Sequence, residues 1–322
     1  MHRWLLFLLA GAACAQAPQP NGGGVRPGTL PAHWRTGGPN CMEVPDWQIH
    51  EYNPDFYILR ESGCNNYEKP FLYLLFGSER ALLMDTGAGV TDVANAVDGV
   101  IARWSRRNHR DTMPLIVVHS HSHGDHVSGD AQFRGRANTT LVEPKLADTR
   151  RFFGIDSWPD GKGLVDLGGR PIDVIPIPGH DVLSLAYYDR QTGVLFTGDS
   201  LYPGRLYVPD VPAFVQSTDR LVEFTRGKIV AHLFGCHIEQ SATPYLDYPI
   251  GSMYQPDEHR LELGRGELVE LQQVLHGTDG PRRVAMRDYT VWPVNDEIWK
   301  ELEAVEKATQ EKQQASMWGQ AR

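Results

Sequence analysis

The sequence IVVHSHSHGDHVSG, at Ile116–Gly129, concentrates polar chemistry that a packed core does not need. Three imidazoles and a carboxylate fall within six residues, at His121, His123, Asp125 and His126. Burying such groups without hydrogen-bond partners costs several kcal/mol, and four neighbours are hard to satisfy without a cation. The apolar run before them predicts a buried strand that ends where the motif begins. We therefore predict a metal site at this strand end.

Three later strand ends carry a glycine shortly before a polar side chain. The polar residues are His180, Asp199 and His237. Glycine lets the backbone turn closely, so each side chain can follow a strand directly into a site. His232 competes with His237 for the last position, but it lies in the middle of a predicted strand. We therefore choose His237.

Five histidines and two aspartates suffice for two sites of three to four ligands each, and zinc suits this mixture best. Side chains two residues apart in an extended chain point the same way, so His121 and His123 can share one ion. Asp125 and His126 follow the turn and can face a second ion. Asp199 has two carboxylate oxygens and can bridge the two ions.

The ordered set H-x-H-x-D-H, P-G-H, F-T-G-D and a late G-x-H resembles the metallo-β-lactamase superfamily, and the turn Asp85–Gly87 also fits its pattern. The resemblance covers about residues 50–240. It implies an α/β (α+β) fold, an αββα four-layer sandwich in which two mixed β-sheets pack face to face with helices outside. It also implies that one ion takes His121, His123 and His180, and that the other takes Asp125, His126 and His237, with Asp199 bridging.

The function that the resemblance implies is metal-assisted hydrolysis. A hydroxide that bridges two divalent ions, zinc first and iron or manganese as alternatives, would attack a carbonyl-type bond. Asp125 would be both a ligand and a catalytic hydrogen-bond partner of the nucleophile or the leaving group. An ester, a lactone, a thioester and a β-lactam all fit. The alternatives are an iron-dependent dioxygenase or other redox enzyme on the same fold, and a β-lactamase specifically.

Substrate contacts are expected from loops near the metal ligands. The candidates are Trp158, Tyr202, Arg205 and Tyr207. Arg205 could pair with a substrate carboxylate. The expected partner is a small molecule, and the sequence leaves the oligomeric state open.

The composition narrows the class of partner further. The chain has 322 residues and a net charge of −9. A nucleic-acid binder would need a basic surface to neutralise phosphates, so this acidic balance argues against that class. No later apolar run is long enough to form a membrane-spanning helix.

The chain begins with features of a secretory signal. A short basic start, an apolar run and Ala13-Cys14-Ala15 predict a signal peptide at residues 1–15 and a periplasmic or secreted protein. Lipidation at Cys14 is the alternative. Residues 16–40 predict a flexible N-terminal arm. Residues 41–322 predict a single metallo-β-lactamase-like domain with a C-terminal helical extension.

Three cysteines remain after the predicted cleavage. Cys41 and Cys64 are a candidate disulfide in an oxidising compartment, and closing a loop of about 20 residues would contribute roughly 3 kcal/mol. Cys236, beside His237, is either a packed core thiol or a neighbour of the metal.

Overall fold

The computed structural model describes residues 24–35, 37, 44–277 and 282–320. The predicted signal peptide lies outside these residues, and so does Cys41. Cys64 is disulfide-bonded, but its pairing with Cys41 stays a prediction. Within these ranges, no helix has both the length and the apolar character needed to cross a membrane.

The first sheet is built from chain-adjacent strands. In spatial order it contains β1 (Trp47–Asn53), β2 (Phe56–Glu61), β3 (Phe71–Phe76), β4 (Ala81–Met84), β5 (Leu115–Val118) and β6 (Thr139–Leu141). Strands β1 to β4 are antiparallel, whereas β4, β5 and β6 are parallel. Parallel neighbours need a crossover connection, and the helix α1 (Val93–Arg107) supplies it between β4 and β5.

The second sheet holds the later ligand-bearing strands. Its order is β13 (Glu262–Leu263), β12 (His232–Gly235), β10 (Val194–Gly198), β9 (Leu185–Asp189), β8 (Pro171–Pro176) and β7 (Gly163–Asp166). A small third sheet joins β11 (Arg205–Val208) to β15 (Thr290–Pro293) and β14 (Val284–Ala285). The other helices are α2 (Gly124–Val127), α3 (Leu146–Phe153), α4 (Val211–Phe224), α5 (Arg265–Gly277) and α6 (Asp296–Gln320).

Alternation along the strands explains the layering. In β3, Tyr73 and Leu75 face the core between the two sheets, while Leu72 and Leu74 face α1. The far face of the second sheet is covered by α4 and α5 in the same way. A strand covered on both faces is apolar throughout, as β3 is. The predicted αββα sandwich is therefore confirmed.

One buried arginine ties the two sheets together. The Arg170 guanidinium donates to the carbonyl oxygens of Asp55 (2.5 Å) and Phe76 (2.9 Å), which belong to the first sheet or its turns. It also forms an ion pair with Asp189, at 2.6 Å, on β9. If the sheets slid apart, the buried guanidinium would lose both of its carbonyl acceptors on the first sheet, so the contact opposes relative movement of the layers.

Several boundaries differ from the sequence-based expectation. The apolar spacing over residues 261–275 predicts an amphipathic helix, but Glu262–Leu263 extends the second sheet and α5 begins only at Arg265. The stretch at 202–207, expected to be a loop, contains β11. Part of the N-terminal arm contacts the domain: the Thr29 amide donates to the Tyr52 carbonyl at 2.9 Å, and Trp34 is buried in the core between the sheets.

Candidate metal centre

The candidate ligands converge because their strands end at the same edge of the sandwich. His121 follows β5, His180 follows β8, Asp199 follows β10 and His237 follows β12. Gly198 permits the approach of β10 to β5, since it has φ +52° and a Cβ there would lie 2.9 Å from the Ser120 Cβ. A larger residue would push Asp199 away from the histidines.

Three histidines form the first cluster, called here the three-histidine group. His123 Nδ1 lies 3.0 Å from His121 Nε2 and 3.1 Å from His180 Nε2. His121 and His180 are buried, and His123 is partly buried. Three ring nitrogens therefore face one small volume.

The second cluster, called the mixed group, contains Asp125, His126, Asp199 and His237. Asp125 Oδ2 lies 2.9 Å from His126 Nε2 and 3.2 Å from His237 Nε2. The two imidazole Nε2 atoms are 3.3 Å apart. The structure thus brings His237 into the cluster, whereas His232 stacks on Phe234 elsewhere.

Asp199 lies between the two groups. Its Oδ2 is 3.8 Å from His121 Nε2 and 3.7 Å from His180 Nε2 in the three-histidine group. The same oxygen is 3.6 Å from His126 Nε2 and 3.3 Å from His237 Nε2 in the mixed group. Its Oδ1 is buried and has no hydrogen-bond partner.

Outer contacts fix the orientation of the imidazoles. His180 Nδ1 donates to the Tyr207 carbonyl and His237 Nδ1 to the Glu68 carbonyl, both at 2.8 Å. His126 Nδ1 lies 3.0 Å from Asp85 Oδ2. With the outer nitrogens so used, the Nε2 atoms of neutral rings present lone pairs to the centre.

These donors fit divalent metal ions. Lone pairs of facing imidazoles repel one another at about 3 Å unless a proton or a metal ion lies between them. The unpaired Oδ1 of Asp199 is a further acceptor that a cation would satisfy. Nitrogen and carboxylate donors in sets of three and four are the chemistry that zinc and its neighbours accept. His121, His123 and His180 could hold one ion, and the mixed group another.

Two further residues near the motif belong to neither the three-histidine group nor the mixed group. His119 bonds to Asp130 at 2.9 Å, in agreement with a packing role. Cys236 is buried and donates its thiol hydrogen to Asp85 Oδ2 at 3.5 Å. Burial raises the pKa of this thiol, and Cys236 forms with Asp85 and His126 a third group of side chains that could hold a metal ion.

A cleft of about 320 Å³ opens over the two groups. Of the predicted substrate contacts, Tyr202, Arg205 and Tyr207 line it. Trp158 does not, because it packs against the core between the sheets. Arg205 is buried, and its charge is already paired with Glu239.

The opposite wall of the cleft was missed by the sequence reasoning. We call it the roof and define it by Tyr67–Lys69 and by three residues of α6. These are Trp299, Leu302 and Glu306. The sequence predicts this helix only as a C-terminal extension. The signal that could have marked it is the pair of apolar side chains Trp299 and Leu302 at i and i+3, with Glu306 four residues on, in a helix rich in charged residues.

Hydrogen bonds join the two segments of the roof to each other and to the domain. The Tyr67 hydroxyl donates to Glu306 Oε2 at 2.6 Å. The Lys69 ammonium donates to the carbonyl oxygens of Tyr67 and Ser252, the latter at 2.8 Å. Burial raises the pKa of Glu306 to about 7 and lowers the pKa of Lys69 to about 7.

Comparison with known proteins identifies the fold family. A family model described as the metallo-beta-lactamase superfamily matches residues 70–278, more than half of the chain. The chain belongs to this superfamily. The family match, the hydrolases among its relatives and the clustered histidines and aspartates identify the protein as a metal-dependent hydrolase.

Relatives in this superfamily include two hydrolases. Acyl-coenzyme A thioesterase MBLAC2 of Bos taurus is 23% identical over 232 residues, which span 61% of this chain and 83% of that protein. Hydroxyacylglutathione hydrolase of Cereibacter sphaeroides is 30% identical over 186 residues, or 53% of this chain and 71% of that protein. A solved metallo-beta-lactamase from Pontibacter korlensis is 15% identical with a TM-score of 0.48, covering 72% of this chain and 100% of that one.

Proposed function

We propose that this protein is an exported hydrolase with two metal ions that cleaves a carbonyl-type bond, with a thioester as the first candidate and an ester or a lactone next. The names of the two relatives, which are hydrolases of acyl-coenzyme A and of hydroxyacylglutathione, support an acyl substrate. Export is supported by the signal-like residues 1–15.

The position of Asp199 carries the proposal of two ions. One carboxylate oxygen lies within 3.3 to 3.8 Å of histidines in both groups. A carboxylate placed in this way suits a bridge between two cations, and a single closed structural site has no need of it. Zinc is the first expectation, since it suits histidine and carboxylate donors.

Two ions at this centre would polarise a substrate carbonyl and lower the pKa of a water molecule. The chain supplies the remaining functions. Asp125 lies in the mixed group, lines the cleft and is the carboxylate placed to orient the attacking water and pass a proton to the leaving group. The Tyr207 and Glu68 carbonyl oxygens hold His180 and His237 in the required tautomer.

Metal removal tests this function. Chelation should abolish hydrolysis of N-acetylcysteamine thioesters, phenyl esters and lactones, and zinc should restore it. Elemental analysis of the purified protein should give two ions per chain. One ion per chain at full activity would contradict the dinuclear centre, and full activity without metal would contradict the whole proposal. Iron content with oxygen uptake would instead support the redox alternative.

The export proposal needs its own measurement. The mature protein, made with its signal in a Gram-negative host, should be found in the periplasm or medium and should begin at Gln16. A lipidated N-terminal Cys14 would support the alternative. A chain that retains Met1 in the cytoplasm would contradict export.

A further inference from the structure

The cleft walls carry a charge pattern that selects among acyl substrates. We infer that the site takes an acyl group that is uncharged and apolar, seated on Trp299, and discriminates against a carboxylate near the scissile bond. This inference rests on the proposed acyl hydrolysis and specifies its substrate class.

The apolar part of the argument comes from Trp299. Its ring lies 5.7 Å from the His123 ring, 6.5 Å from the His180 ring and 5.6 Å from the Tyr207 ring. It is only partly buried, so one part of the indole remains open to the cleft. Leu302, one turn further along α6, also lines the cleft but is packed against Tyr207. An acyl chain entering beside the three-histidine group would therefore meet Trp299 first.

The cations of the cleft are already engaged. Arg205 pairs with Glu239 Oε1 at 2.6 Å and with Asp247 Oδ2 at 3.0 Å. It also donates to the Tyr248 carbonyl and to the Tyr207 hydroxyl, at 2.7 and 3.0 Å. Nearly all of its N–H donors are thus used, which leaves little capacity for a substrate carboxylate.

Lys69, the second cation, is fully buried. Its ammonium is held by two carbonyl oxygens, and its lowered pKa of about 7 reduces its charge at neutral pH. Four glutamates also line the cleft outside the two ligand groups: Glu68, Glu239, Glu303 and Glu306. Glu239 is paired with Arg205, and burial raises the pKa of Glu68 and of Glu306, so the walls carry little excess charge of either sign.

The consequence is a difference between substrates that share one scissile bond. Asp125 and Asp199 already offset part of the charge of bound ions. An additional carboxylate on the acyl group would lose its hydration on walls that offer it no free cation, whereas an alkyl group would bury apolar area against Trp299. The volume of about 320 Å³ lies at the lower end for ligand pockets, which favours a short or medium chain.

Matched thioesters test the inference on the zinc-loaded protein. Butanoyl- and succinyl-N-acetylcysteamine have the same leaving group and similar length but differ in charge. The expected kcat/KM is at least about tenfold higher for butanoyl, a difference of about 1.4 kcal/mol. Equal rates, or a preference for succinyl, would overturn the inference while leaving acyl hydrolysis intact. Hydrolysis of no acyl probe would overturn both.

Two variants locate the effect. Trp299→Ala should raise KM for hexanoyl-N-acetylcysteamine about tenfold, with kcat changed less than threefold. The rise in KM should be smaller for acetyl-N-acetylcysteamine. Trp299→Phe should restore most of the loss. Glu301→Ala, an exposed change on the same helix, is the matched control. An equal loss for both chain lengths would contradict a seat for the acyl chain.

Glu303→Lys probes the charge of the wall without disturbing a buried group, because Glu303 is exposed. It should raise kcat/KM for succinyl relative to butanoyl by severalfold, and added salt should reduce that gain. An unchanged ratio would count against the electrostatic part of the inference.

Discussion

The two sides of the cleft are built in different ways. We call the two ligand groups, the three-histidine group and the mixed group, the floor of the cleft. The floor lies at the ends of strands that pack around the core between the two sheets. The roof comes from one loop and one helix. The hydrogen bond between His237 Nδ1 and the Glu68 carbonyl and the contacts of the Trp299 ring with His123 and His180 are among the contacts that connect the two.

This difference separates two tasks. Floor side chains are positioned by outer hydrogen bonds, so their nitrogen and oxygen atoms are set before a substrate arrives. Roof side chains face the space that a substrate would occupy. Substitutions in the floor should therefore remove the chemistry, whereas substitutions in the roof should change which substrate is held and at which pH.

The largest effect is expected from the floor. His237→Ala should lower metal content and reduce thioester hydrolysis below detection, because it removes a donor of the mixed group. The matched control is His232→Ala, five residues away and stacked on Phe234, which should keep activity within about threefold. Metal analysis and kcat/KM together decide the outcome. The reverse result would reassign the ligand.

An intermediate effect is expected beneath the floor. Asp85 accepts from the Ser120 amide and hydroxyl at 2.7 and 2.8 Å and lies 3.0 Å from His126 Nδ1. Asp85→Asn should cost about 10- to 100-fold in metal affinity or activity, as is usual for outer partners of ligating histidines. Zinc competition with a chromogenic chelator measures this. An exposed change, Asp98→Asn, serves as control, and equal affinities in the two variants would refute the role.

The smallest effect is expected in the roof and depends on pH. Burial raises the pKa of Glu306 from 4.5 to about 7. Between these values the folded protein binds more protons than the unfolded chain, so this group's contribution to stability falls as the pH rises. Tyr67, Glu239, Arg205 and Asp125 are the charged or titratable groups that act on it.

Glu306→Gln should flatten that dependence. The difference between wild type and variant in denaturation midpoint, compared at pH 5 and pH 7, isolates Glu306, because the two proteins share every other titratable group. The variant should lose less stability than wild type across this interval. Parallel decreases in the two proteins would show that Glu306 does not titrate in the window.

The ligand groups of the floor and the layers of the sandwich could be predicted from the sequence. Ligand residues such as His121 and His180 follow apolar strands, and short-range patterns predict both the strand and its end. The roof could not, because the contact of Trp299 with His123 joins segments far apart in the chain. The ion pairs of Arg205 could not be predicted either, because folding brings Glu239 and Asp247 to it from later parts of the chain. Trp158 failed as a predicted contact because its loop turns towards the core.

The helix that carries Trp299 follows every ligand-bearing strand in the chain. During synthesis the ribosome therefore produces all the ligands before it produces the helix. Gly251, whose Cβ would lie 2.8 Å from the Glu306 carbonyl oxygen, marks where that helix must later approach the finished body closely. The entrance to the cleft is thus narrowed by a helix that follows in the chain the strands that carry the ligands.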